Sequence, residues 1–200
     1  MKKLTTKVQV LYALGVSYAI VDQIFAQWIL YFYLPSANSS LKPFMAPILV
    51  SIALAVSRFV DMITDPLVGF LSDKYNSKYG RRIPFIAVGT IPLVLVTIAF
   101  FYPPMSNEKA SFYYLMIVGS LFFTFYTIVG APYNALIPEI GRTPEERLNL
   151  STWQSVFRLS YTAIAIIFPG ILIKMIGGKD ELFGIRGMII FLCVIVFVGL

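Results

Sequence analysis

Five apolar runs in this chain are each long enough to cross a bilayer, and that limits the fold before anything else does. They lie at about residues 8–34, 44–71, 84–102, 111–137 and 152–176, and a sixth begins near 187 and is still apolar at Leu200. A hydrocarbon core of ~30 Å needs ~20 helical residues, and a helix satisfies its own backbone hydrogen bonds there. The expected fold is an all-α integral membrane protein, one transmembrane domain of six helices over residues 1–200. The sixth run, residues 187–200, is too short to cross comfortably and reads as cut short.

Charge is scarce and unevenly placed. Charged residues make up 13% of the chain and hydrophobic ones 58%, where soluble domains carry about 25% charge. Lys2, Lys3, Lys7, Lys74, Lys78, Arg81, Arg82, Arg142 and Arg147 stand at the N-terminus and in the second and fourth loops. Lys42, Lys109, Lys174, Lys179 and Arg186 stand in or beside the odd loops. By the positive-inside rule this bias puts the N-terminus and even loops in the cytoplasm. The net charge of +6 is therefore an orientation signal, with no nucleic-acid partner implied. The expected location is the plasma (inner) membrane, multi-pass, with a cytoplasmic N-terminus.

Several functional classes fall away. The first run is too long for a signal-peptide core and carries Asp22, Gln23 and Gln27. There is no histidine, so His relays, His-ligated metals and Ser-His-Asp catalysis are excluded within this chain. Cys193, the single cysteine, excludes an internal disulfide and reads as a packing residue. Leu34–Ser40 and Tyr102–Asn107 read as outward turns. Thr143-Pro144-Glu145-Glu146 reads as a capping box that starts a short cytoplasmic helix before the fifth run.

The ionisable groups inside the runs carry the functional signal. On a helix of 100° per residue, Arg58, Asp61 and Asp65 fall within roughly 60° of arc. A charge at the bilayer centre costs at least ~2.5–3.5 kcal/mol, so three on one face need partners, water or an ion. Pro66 follows and cannot bond the Met62 carbonyl, which leaves an acceptor beside both aspartates. The first run carries Asp22, with Tyr18 one turn before it. The fourth carries Ser120, Thr124, Thr127 and Asn134, and the fifth Ser151, Ser155, Arg158 and Thr162. Such stripes suit helices around an aqueous cavity; the hydroxyls equally suit bonds to their own or neighbouring helices. Arg58–Asp61 and Arg158–Asp22 also read as structural ion pairs, and Trp and Tyr near run ends as interfacial anchors.

Asp22, Asp61 and Asp65 against Arg58 and Arg158 leave one uncompensated negative charge. One Na⁺, Li⁺ or H⁺ would neutralise it. Two carboxylates a turn apart, with hydroxyl and carbonyl oxygens nearby, suit a hard monovalent cation; their mutual repulsion would instead favour a bound proton. A coupling ion is expected and no other cofactor.

Gly69-Phe70-Leu71-Ser72-Asp73-Lys74, then Gly80-Arg81-Arg82, resembles the G-x-L-x-D-(R/K)…G-(R/K)-(R/K) loop of the major facilitator superfamily. Arg58-x-x-Asp61-x-x-x-Asp65-Pro66-x-x-Gly69 narrows the resemblance to the glycoside–pentoside–hexuronide:cation symporters, the melibiose-carrier-like family. Pro132-Tyr133-Asn134-Ala135-Leu136-Ile137-Pro138 agrees with that family's P-Y-x-x-L-x-P segment, and Glu146-Arg147 with its E-R loop. The resemblance implies the N-terminal six-helix half of a twelve-helix fold, completed by a C-terminal half from the same longer chain, a second chain or a second copy. It implies cation binding at Asp61, Asp65 and Thr127 and substrate binding at Asp22, with Tyr18, Asn134 and Arg158 added from the polar stripes. Asp73, Gly80, Arg81 and Arg82 form its cytoplasmic latch, with Gly69 in the same motif and Arg58 a counter-ion.

Departures bear on the substrate. The melibiose carrier has asparagine at Thr64, aspartate at Gly130, tryptophan at Asn134 and arginine at Ser155, the last three near its sugar. The expected function is cation-coupled symport of a sugar or glycoside by alternating access. A lipid or lysolipid carrier on the same scaffold is the alternative. A membrane enzyme is not expected, because it needs a nucleophile–base pair or metal ligands. Membrane lipid is the surrounding partner.

Overall fold

Among residues 4–36, 39 and 41–200, which the computed structural model describes, the apolar runs form helices and no strand occurs. Lys2 and Lys3 of the orientation count, and Ala37, Asn38 and Ser40 of the first turn, lie outside the described residues. The helices are α1 (Thr6–Tyr33), α2 (Pro47–Lys74), α3 (Ile83–Ala99), α4 (Glu108–Ile140), α5 (Pro144–Ile167), α6 (Pro169–Gly177) and α7 (Glu181–Gly199). Helices α1, α2, α4 and α7 are long and apolar enough to cross a membrane. So are α5 and α6 if this pair, bent by 43°, is one span. Helix α3 is apolar and 17 residues long, about 25 Å at 1.5 Å per residue.

Local chemistry sets the helix starts. Proline opens α2, α5 and α6, where its missing N–H is no loss. The Asn107 side chain accepts from the Lys109 and Ala110 N–H groups, and Asp180 from Phe183. Asp180 starts α7 six residues before the expected Gly187. Arg186 masked that start, but its Nε donates to the Phe101 carbonyl (2.9 Å) and its guanidinium lies 4.2 Å from the Tyr102 ring centroid. The expected short helix before the fifth run is the first part of α5, which continues unbroken to Ile167. Only half of the capping box forms. Thr143 accepts from the Glu146 N–H, while the Glu146 carboxylate accepts from Arg142 and Leu4 instead of returning to Thr143.

Two helix groups meet along α1 and α4. Helix α4 packs on α2 and α3; α1 packs on α5 and α7; α7 packs on α3 and α6. The core between them is aromatic, with the Phe25 and Phe122 rings stacked at 5.3 Å and Phe100 and Phe123 edge-on to them. Each such pair adds about 0.5–1.5 kcal/mol beyond area burial. Tyr12 and Tyr133 stack at 4.8 Å, and each hydroxyl donates to the other residue's carbonyl. That clasps α1 to α4. Burial is lopsided: 61% of the most apolar window of α1 is buried and 17% of that of α2. The central helix is α1, and α2 is an outer wall.

In lipid, helices associate by close packing more than by a hydrophobic drive. Helices α6 and α7 meet backbone to backbone, since a Cβ on Gly177 would sit 2.6 Å from the Gly184 Cα. A Cβ on Gly184 would meet the Ile173 carbonyl at 2.5 Å. Gly184→Ala is therefore expected to destabilise the chain by about 1–3 kcal/mol. Gly69→Ala, which meets nothing within 4 Å, is expected to leave stability unchanged or slightly raised. Thermal melting in detergent compares them; equal melting temperatures would contradict the contact.

Candidate cation and substrate site

The polar stripes of α1, α2, α4 and α5 surround a cavity of about 310 Å³. Tyr18, Asp61, Asp65, Thr127, Asn134 and Arg158 line it, together with Tyr126, Gly130 and Ala131. Helix α2 runs unbroken through Pro66, so Asp61 and Asp65 stay one turn apart on one face. Thr127 on α4 is almost fully buried, with its Oγ1 3.1 Å from Asp61 Oδ1 and 2.8 Å from Asp65 Oδ1. A threonine hydroxyl has one hydrogen to donate, so the two carboxylates share one donor. The Thr64 hydroxyl is used locally, donating to the Asp61 carbonyl at 3.1 Å.

Arg58 sits at the rim. Its Nη1 is 3.6 Å from Asp61 Oδ2, and its side chain is 55% exposed. The guanidinium lies over the Phe123 ring at 4.2 Å and near the Phe25 ring at 5.0 Å. The guanidinium thus divides between Asp61 and the two aromatic faces, which help to position it.

The opposite wall is an amide network. Asn134 Oδ1 accepts from the Tyr18 hydroxyl at 3.2 Å and from Gln154 Nε2 at 2.9 Å. The rings of Tyr126 and Tyr133 stand edge-on to Tyr18. Arg158 lines the cavity with no ion pair among the described residues, and the Arg158–Asp22 pair does not form. Asp22 is half-buried outside the lining. Helix α1 departs from regular pitch on both sides of it, tightening to a 3₁₀ turn over Gly15–Tyr18 and loosening to a π turn over Ile24–Ile29. The lining itself therefore holds two carboxylates and one guanidinium.

Other stripe residues bond within their own helices. Ser120 donates to the Met116 carbonyl, Thr124 to Ser120 and Ser155 to Ser151, each at 2.7–2.8 Å. Among the hydroxyls of α4, Thr127 is the one that crosses to α2.

At one end of the bundle a second polar cluster joins the last turns of α2 and α4 through the loop that follows α2. Arg82 pairs with Asp73 at 2.7 Å and with Glu139 at 2.7 Å; Arg81 pairs with Glu139 at 2.9 Å. Gly80 has φ 94°, a conformation suited to glycine, and its carbonyl accepts from the Ser77 hydroxyl. Gly69 faces open space.

Sequence reasoning missed Glu139, Gln154 and Tyr126. Glu139 follows Pro138 in the last turn of α4, at the same end of the bundle as Arg81 and Arg82, so matching charges across that end would have found it. Gln154 and Arg158 are four apart on α5, a helical spacing that stood in the sequence. Tyr126 precedes Thr127 and carries no pattern of its own.

The sequence profile of the family described as MFS/sugar transport protein matches residues 11–200. The inner membrane symporter YicJ of Escherichia coli (strain K12) is 30% identical over 72% of this chain and 32% of its own length. YagG of the same organism, proposed by its name as a glycoside/cation symporter, is 34% identical over 66% of the chain and 29% of its own length. The sodium-dependent lysophosphatidylcholine symporter 1-A of Danio rerio is 32% identical over 64% of the chain and 24% of its own length. The chain thus spans less than a third of these relatives' lengths, and they are transporters, not enzymes. It is a multi-pass integral membrane protein, and it belongs to the MFS/sugar transport protein family, matching the N-terminal six-helix half of that fold.

Proposed function

We propose that the chain is half of a cation-coupled symporter that moves a sugar or glycoside by alternating access. The observation that carries this reading is Thr127, on α4, bridging Asp61 and Asp65 of α2 at the wall of a shared cavity. Na⁺, Li⁺ or H⁺ binds between these three side chains and cancels the excess negative charge of the lining. The substrate lies against Tyr18 and Tyr126, with Asn134 and Arg158 bonding its hydroxyls and charge assistance from the guanidinium. Asp22 contributes from one turn further along α1. The second six-helix half comes from the same longer chain, another chain or a second copy, and closes the cavity from the side of α2 and α5. The Asp73–Arg82–Glu139 cluster latches the cytoplasmic end, with the N-terminus on that side of the plasma (inner) membrane.

A lysophospholipid is the second substrate reading, favoured by the Danio rerio relative. Proteoliposome uptake of a glycoside panel and of lysophosphatidylcholine, with and without an inward Na⁺ gradient, separates the two. Glycoside uptake that the gradient stimulates is the expected result.

Three substitutions test the site. Na⁺ at 100 times its dissociation constant stabilises a binding protein by about 2.7 kcal/mol, so saturating Na⁺ should raise the melting temperature of the chain. Asp61→Asn and Asp65→Asn should each abolish that rise. Thr127→Val should weaken the apparent cation affinity about tenfold or more, in line with ~1.5–3 kcal/mol for a hydrogen bond to a charged group. A Na⁺-induced rise that survives in Asp65→Asn would sink the cation assignment.

The latch has a separate signature. Glu139→Gln keeps the shape and removes the charge that Arg81 and Arg82 share. It should lower the maximal uptake rate several-fold while leaving the Na⁺-induced rise in melting temperature intact. Unchanged uptake kinetics would remove Glu139 from the latch.

A further inference from the structure

We propose that the cavity between α1, α6 and the start of α7 binds the phosphate of an anionic phospholipid headgroup. This cavity of about 500 Å³ is separate from the cation and substrate cavity and shares no residue with it. It opens where α6 bends by 43° from α5 after Phe168, at the end of the bundle opposite the Asp73 loop. Trp28 and Tyr31 of α1 form one wall, Ile173 and Lys174 of α6 another, and Lys179 and Glu181 the third.

Three observations specify the occupant. The Trp28 indole nitrogen is buried and has no hydrogen-bond partner among the described residues. Indole N–H is a donor only, and a buried unpaired donor is costly, so the site calls for an acceptor. Lys174 and Lys179 form no ion pair among the described residues. The Glu181 carboxylate is already engaged, accepting from the Tyr31 hydroxyl at 2.5 Å and from Ser39 at 3.0 Å. Two ammonium groups against one carboxylate leave a single positive charge. A phosphodiester carries a single negative one and supplies the acceptor oxygens.

Shape and position favour a lipid as the source. Gly170 and Gly178 line the cavity, and a Cβ at either would meet nothing within 4 Å, so a headgroup can approach the backbone there. Exposed Ile171 and Met175 on α6 offer apolar surface to acyl chains. Aromatic side chains with lysines at a helix end are also the composition of a membrane interface.

Native mass spectrometry of the chain, in detergent with equal phosphatidylglycerol and phosphatidylcholine, tests the proposal. One phosphatidylglycerol should be retained with at least a fivefold preference over phosphatidylcholine, since each lysine near an anionic surface contributes about that factor. Lys174→Ala with Lys179→Ala should bring the two lipids to parity. Gly170→Met, which fills the cavity and removes no charge, should also reduce retention several-fold while circular dichroism shows unchanged helicity. Millimolar glycerol 3-phosphate should not displace the lipid. Equal retention of both lipids by the unsubstituted chain would overturn the proposal, as would a preference that survives the double lysine substitution. Displacement by glycerol 3-phosphate would assign the site to a soluble phosphate and overturn the lipid.

Discussion

One hydroxyl hydrogen stands between two carboxylates in this bundle, and the arrangement around it follows from what lipid demands of charge. Asp61 and Asp65 sit in a mainly apolar membrane-spanning helix, where each bare charge costs several kcal/mol. Helix α2 has few means to compensate them, because Arg58 leans toward aromatic rings and meets Asp61 at only 3.6 Å. The compensating group comes from α4, through Thr127. That bond ties α2 to α4 in the register that brings Asn134 and Tyr126 to the same cavity.

The rest of the packing leaves that wall free. The aromatic cluster around Phe25, Phe100, Phe122 and Phe123 and the backbone contact of α6 with α7 concentrate cohesion on α1, α4 and α7. Helix α2 keeps a largely exposed outer surface, with Phe59, Met62, Leu67 and Phe70 uncovered. On α5, Val156, Leu159 and Ile167 are exposed as well. This chain carries its polar cavity beside an apolar face.

Much of this was legible in the sequence, for definite reasons. Helix existence followed from run length, and the Asp61–Asp65 face from a regular 100° step, because α2 is a regular helix even through Pro66. Thr127 and Asn134 were legible by the same periodicity on α4. The step fails on α1, where a 3₁₀ turn and a π turn flank Asp22, and there the expected cavity residue falls outside the lining. Arg186 hid the start of α7 because its charge is compensated by a carbonyl and a ring from a distant segment. Glu139 went unnoticed because its partners lie 57 and 58 positions away in sequence.

Thr127 and Asn134 belong to one rod and stand seven residues apart, about 10.5 Å along a helix. One touches the carboxylate pair and the other the tyrosine–glutamine network. Any tilt of α4 therefore acts on Thr127 and Asn134 as two points on a single lever arm. The clasp of Tyr12 with Tyr133 lies one residue before Asn134 and gives that lever a fulcrum on α1 close to its Asn134 end. A tilt that shifts Thr127 against the carboxylates is thus a rotation of α4 about its Asn134 end.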